Sequence, residues 1–282
     1  KEYRRQRQMC IRDSTHAFTV SNLTGDVDAA SLDSALTIGL LNNTADNEVV
    51  IATGSNTTSI QDAAAGDTIE VNAAALADDT LLSLAGEGNY TVSDLQGNLK
   101  NDAAGAVNVT LAENNGDYSI ISSSAITVNA GAAGTDDVIT FGGGGDFIAT
   151  GLKANLVLGS SNTGTTDITT DATGLSISVD AAAGDLTVHA ASLASDQTLT
   201  LGGSIDGHNT TVDGLVGTLD AAGGTDAAGV DAVLASTLNV SIGGDGDAIA
   251  TIVTGSDTTN IHAHAGDTLT VTATSLADDT LI

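Results

Sequence analysis

Carboxylates recur in this chain at fixed places. A block that opens at Ile69, Ile126, Leu186 and Leu269 carries an acid at its eleventh position each time: Asp79, Asp136, Asp196 and Asp279. Neighbours double the charge at Asp78, Asp137 and Asp278. Two glycine-rich turns, GGGGDFIAT from Gly142 and GGDGDAIAT from Gly243, add Asp146, Asp245 and Asp247. Calcium takes six to eight oxygen ligands from carboxylates and backbone carbonyls in tight turns. Glycine permits the backbone angles that aim carbonyls inward. Asp136, Asp137, Asp146, Asp245 and Asp247 are therefore the candidate ligands for Ca2+.

Other chemistry is thinner. His262 and His264 sit two apart and would share a strand face, but no third ligand is evident for a transition metal. Carboxylates at every repeat point to structure, because a catalytic pair is needed once. No enzyme is expected; a carbohydrate-active enzyme on a β-helix scaffold is the alternative. An ice-binding face is a further one. It needs regularly spaced Thr, which Thr268, Thr270 and Thr272 supply and Thr198 and Thr200 continue, while Glu70 and Asn72 break the row.

The elements that position these residues are short. In the block openings Ile69, Val71 and Ala73 alternate with polar residues, as do Leu186, Val188 and Ala190. A second set, Leu36-Ile38-Leu40, Val107-Val109-Leu111, Leu175-Ile177-Val179 and Leu238-Val240-Ile242, does the same. Period-two alternation over five residues predicts half-buried strands. A decapeptide follows: FTVSNLTGDV from Phe18, YTVSDLQGNL from Tyr90, FIATGLKANL from Phe147 and TTVDGLVGTL from Thr210. Its third and sixth positions are apolar and flank a turn-prone pair, which predicts strand, corner, strand. A small residue at its eighth position (Gly25, Gly97, Ala154, Gly217) suits a narrow interior where rungs approach closely.

Repeat openings 57, 60 and 83 residues apart predict a solenoid with rungs of about 20 residues. The expected fold is all-β: a parallel β-helix or β-solenoid of about four imperfect repeats, with tandem β-sandwiches as the alternative. Val71, Val128, Val188 and Val271 should then all face the core of one stack.

Composition sets further bounds. The chain has 36 Asp+Glu against seven Lys+Arg, a net charge of −29. That surface repels nucleic acid and anionic membrane. No apolar run approaches the roughly 18 residues of a membrane span, so no membrane insertion is expected. Residues 1–14 stand apart: they hold five of the seven Lys+Arg and the only Cys and Met. They read as a foreign segment of sequencing-adapter type that should contact the repeats little. Residues 15–282 read as a single repetitive solenoid, cut at both ends from a longer protein.

The glycine turns resemble the calcium-binding nonapeptide G-G-x-G-x-D-x-U-x of RTX proteins, with Asp146 and Asp247 one residue early. More broadly, residues 15–282 resemble the β-strand repeats of giant bacterial RTX-related adhesins. The resemblance implies an extracellular or cell-surface location in bacteria, a structural or adhesive role stabilised by calcium, and a surface receptor or glycan as partner.

Overall fold

A computed structural model describes residues 9–12, 16–41, 48–62, 64–113, 116–180, 184–223, 233–243, 249–276 and 282. It divides into two compact units, Lys1–Val128 and Asn129–Ile282. The described residues are strands and turns without helix. The expected class holds: parallel β-solenoid, with about eleven turns over the two units. The repeat count differs from four because one sequence block spans about three turns. Ile69 pairs with Tyr90, and Tyr90 with Val107, within a single block. Every strand pairing described is parallel, which the sandwich alternative does not allow.

The first unit carries β1 (Met9–Arg12), β2 (Phe18–Leu23), β3 (Val27–Ser31), β4 (Leu36–Leu40), β5 (Glu48–Ala52), β6 (Thr58–Asp62), β7 (Thr68–Asn72), β8 (Leu81–Gly86), β9 (Asn89–Leu95), β10 (Asn98–Ala103), β11 (Val107–Leu111) and β12 (Tyr118–Ser122). Even strands build one sheet and odd strands the other, so each turn contributes one strand to each sheet. Alternation in sequence becomes alternation in burial. β7 reads exposed, buried, exposed, buried, exposed. Like residues then stack: Val49, Ile69, Tyr90 and Val107 form one inward column, each 2% exposed or less.

β13 (Ile126–Asn129) contains the division between the units. The second unit continues with β14 (Val138–Gly142), β15 (Phe147–Leu152), β16 (Asn155–Leu158), β17 (Thr166–Thr170), β18 (Leu175–Val179), β19 (Leu186–His189), β20 (Thr198–Leu215), β21 (Gly217–Asp220), β22 (Ala235–Ile242), β23 (Ile249–Val253), β24 (Thr259–His262) and β25 (Thr268–Thr272). One sheet runs β14, β16, β18, the first part of β20, β21, β23, β25. The other runs β15, β17, β19, the second part of β20, β22, β24. Its core includes a stacked pair, Phe141 and Phe147, with centroids 4.1 Å apart.

Three expectations change. The turn-prone pair of the decapeptide is a bulge within its first strand, and the corner comes after it: β9 ends at Leu95 on one sheet and β10 begins at Asn98 on the other. The register slips between Val20 and Leu23, between Ala149 and Leu152 and between Val212 and Leu215. The fifth residue of each decapeptide has positive φ: Asn22 56°, Asp94 54°, Gly151 65° and Gly214 68°. One extra residue there restores the inward side chain after the bulge. The eighth position behaves as expected: a Cβ on Gly97 would meet Thr80 O at 2.5 Å, and one on Gly217 would meet Ala194 O at 2.7 Å.

Second, Val71, Val128 and Val188 are buried, but Val271 is 37% exposed. Val188 and Val271 also lie on opposite sheets of the second unit. Among the described residues β25 pairs on one edge only, and no described strand covers its apolar row. Third, β1 runs parallel to β3, with Met9 against Val27. The expectation of few contacts with the repeats fails at these four residues; residues 1–8 and 13–15 lie outside the described ones.

Candidate functional site

The acidic corners form where each block leaves its first strand. Leu76, Ala133 and Leu193 each donate an N–H to the residue three before, closing one turn. Thr80, Asp137 and Gln197 close a second in the same way. The apolar residue between the turns is buried in all three: Leu76, Ala133 and Leu193. The eleventh-position acids Asp79, Asp136 and Asp196 are left at the exposed tip. Asp79 has φ 62°, a conformation that Asp tolerates better than most residues.

The candidate calcium ligands do different things. Asp136 is exposed. Asp137 is 3% exposed and its Oδ2 accepts the Gly134 N–H at 2.7 Å. Asp146 is exposed, and its Oδ1 accepts both the N–H and the hydroxyl of Thr165 at 2.9 Å. Asp245, Asp247, Asp278 and Asp279 lie outside the described residues. No group of three or more His, Cys, Asp or Glu among the described residues is placed to hold a metal.

The bond made by Asp146 belongs to a device that runs through both units. A side-chain oxygen caps a backbone N–H of the next turn: Asp26 on Val50, Asn89 on Ala106, Asn98 on Ser119, Asp146 on Thr165, Asn155 on Ser176 and Asp185 on Asn209, all at 2.7–3.0 Å. In each case the capping residue directly precedes a buried strand residue: Val27, Tyr90, Leu99, Phe147, Leu156 or Leu186. Asp or Asn before an apolar strand start is the sequence signal that would have found it. Each bond contributes about 1 kcal/mol.

A second cluster stands on the outer face of the second unit. His189 Nε2 is 3.2 Å from Asp167 Oδ1, and its Nδ1 is 3.5 Å from Asp213 Oδ2. Ser241 Oγ donates to Asp213 Oδ1 at 2.5 Å and accepts the Gly214 N–H at 3.0 Å. The Ser241 hydroxyl is the main reason that the Asp213 carboxyl lies below the usual carboxylate range, and His189 adds to it. Carboxylates only accept, so both ring nitrogens can donate together only in the imidazolium. The chain of bonds runs serine, aspartate, histidine, aspartate. A nucleophile needs the imidazole next to the serine, and here the carboxylate takes that place. Sequence reading missed the cluster because only the rung register brings residues 167, 189, 213 and 241 together.

Beside it runs a furrow of about 320 Å³. The backbone of Val212, Val240 and Ile261 forms its floor. One wall is Thr211, Asn239 and Asn260, which pair in register. The other is Asp213, Ser241 and His262. Asn260 Nδ2 donates to Asn239 Oδ1 at 3.0 Å. The His262 and His264 rings meet edge to face at 5.9 Å, so the two histidines do share one side, as their spacing predicts.

The opposite sheet of the second unit carries a threonine column. Thr198, Thr218, Thr251 and Thr270 are paired in succession through β20, β21, β23 and β25. In the interior of the first unit, burial and the nearby Asp62 carboxylate push the Tyr90 hydroxyl well above its ordinary pKa. That hydroxyl donates to Ala85 O at 2.8 Å. Comparison with family models, curated proteins and solved structures finds no match.

Proposed function

We propose that this chain is a structural and adhesive repeat segment of a large secreted or cell-surface bacterial protein. The observation that carries this reading is the rung-to-rung cap. Six aspartate and asparagine side chains at strand starts hold one turn to the next. Such chemistry supports a scaffold that presents its outer faces to a receptor or glycan. Incubation with neutral and acidic polysaccharides should release no reducing ends. Release above a heat-denatured control would move the chain to the carbohydrate-active enzymes.

Calcium belongs to this reading as a stabiliser of the acidic turns. A net charge of −29 opposes the compact state through self-repulsion, and a bound divalent ion offsets it. Within the set Asp136, Asp137 and Asp146, the latter two face backbone donors, which leaves Asp136 as the carboxylate most open to an ion. Binding to the folded form alone stabilises by about 2.7 kcal/mol at a hundredfold excess over Kd. The melting temperature is measured in chelator, in millimolar calcium chloride and in sodium chloride of matched ionic strength. A calcium shift well beyond the sodium shift, reduced by Asp136→Asn, supports the ion; equal shifts leave the scaffold without it.

The threonine column favours a second reading. The row at Thr268, Thr270 and Thr272 does not stack on the Leu186 strand; Thr270 reaches Thr198 through Thr251 and Thr218, while Thr272 reaches Thr200 through Val253 and Asp220. Glu70 and Asn72 lie in the other unit and leave the column intact. Hydroxyls at the strand spacing of about 4.8 Å suit an ordered water lattice, and ice-affinity partitioning with Thr218→Tyr as control tests it.

A further inference from the structure

We infer that the furrow between the Thr211–Asn239–Asn260 wall and the Asp213–Ser241–His262 wall binds a neutral polyhydroxylated ligand, a hexose unit of a glycan. This names the ligand class for the adhesive part of the proposed function and rests on that part alone.

The furrow's volume of about 320 Å³ falls at the lower end of small-ligand sites. Beneath it the second part of β20 pairs with β22 and β22 with β24. Among the described strands β22 is paired on both edges and β24 on one, so a peptide strand could add only at the rim beyond β24 and not within the furrow. Recognition falls to the side chains. Asn260 gives one N–H to Asn239. That leaves the Asn239 amide as donor and the Asn260 carbonyl as acceptor, side by side on adjacent strands. A donor next to an acceptor, about one strand spacing of 4.8 Å apart, suits hydroxyls on alternate carbons of a sugar ring, each of which both donates and accepts.

Charge decides between neutral and ionic ligands. An anion would meet the Asp213 carboxylate and a chain of net charge −29. A cation gains little, because Asp213 already receives Ser241 on one oxygen and His189 at the other. The remaining wall groups, Thr211, Asn239 and Asn260, are neutral. The His262 ring, exposed at the furrow's end, offers a face to the C–H side of a pyranose.

The test is a titration of the ¹⁵N-labelled chain, read by amide shifts. The probes are methyl glucoside, methyl mannoside, lactose and cellobiose, with glucuronate and n-butylammonium as charged controls. At least one neutral sugar should shift the amides of Asn239, Ser241 and Asn260 saturably. Asn260→Ala and the isosteric Thr211→Val should each weaken that binding about tenfold, the loss of one ligand hydrogen bond. Asn155→Ala, a cap elsewhere in the unit, should leave it unchanged. No saturable shift with any neutral sugar overturns the proposal, as does tighter saturation of these amides by butylammonium. The scaffold reading is tested by melting curves and polysaccharide incubation, so the two can fail separately.

Discussion

Two stretches of this molecule share nearly one sequence and differ in burial. TGSNTTSI and GDTIEVNAAAL, from Thr53 and Gly66, return as TGSDTTNI and GDTLTVTATSL, from Thr254 and Gly266. In the first copy Ile60, Ile69, Val71, Ala73 and Leu76 are at most 1% exposed. In the second, Val271 is 37% exposed, and Ile261, Leu269, Ala273 and Leu276 are half-buried. The sides facing the preceding turn are alike. Ser55 N–H bonds to Leu32 O at 3.0 Å, and Ser256 N–H to Leu234 O at 2.9 Å. The difference lies on the following side. β7 is flanked by β5 and β9, whereas β25 has β23 alone among the described strands. Local sequence makes the strand and its inward face; the next turn makes the burial.

Core truncation sharpens the comparison most. Leu76→Ala should cost about 3 kcal/mol, the range for a buried leucine with a cavity left behind. Leu276→Ala should stay within about 0.5 kcal/mol. Denaturant melts of the two variants check this. Comparable losses would mean that the second copy is covered as the first is.

The preceding side predicts equality instead. A Cβ on Gly54 would meet Leu32 O at 2.2 Å, and one on Gly255 would meet Leu234 O at 2.3 Å. Gly54→Ala and Gly255→Ala should therefore both destabilise, by about 2 kcal/mol each for overpacking. A silent Gly255→Ala, seen by the same melts, would break the claim that the two copies share their inner contacts.

How far the sequence reveals this follows from what each residue answers to. Alternation and the inward Val71 and Val188 were legible because they depend on the strand alone. The left-handed residue of the decapeptide was visible as Asn22, Asp94, Gly151 and Gly214, the types that tolerate positive φ. Its meaning was not, since a corner and a bulge both displace parity by one. The sheet on which a block lands was hidden. Both sheets show the same alternation, and turns in the first unit range from 17 residues (Leu82 to Leu99) to 24 (Thr58 to Leu82). That is why Val271 was misplaced and why the His189 cluster and the furrow beside it went unseen. Asp136 and Asp146 were legible as exposed turn acids, but the burial of Asp137 and the backbone donors that Asp137 and Asp146 face depend on turn geometry.

The smallest effect concerns pH on the outer face. Asp213 has a lowered carboxyl pKa in the folded chain, chiefly from Ser241. A depressed folded value contributes stability that is present above the unfolded value of about 3.9 and lost as pH falls through the folded value. The group is exposed, so the contribution is small. Ser241→Ala should raise the Asp213 midpoint in a carboxyl NMR titration; an unmoved midpoint would remove the Ser241 bond as its cause.

Amide hydrogen exchange in the two copies tests the central claim most directly. If the following turn makes the burial, the amides of Thr68–Asn72 exchange only through global opening of their unit. Those of Thr268–Thr272 that face away from β23 then exchange orders of magnitude faster, through local fraying. Equal protection in the two strands would contradict the account, because the same residues would then be held alike with and without a described strand on the far edge.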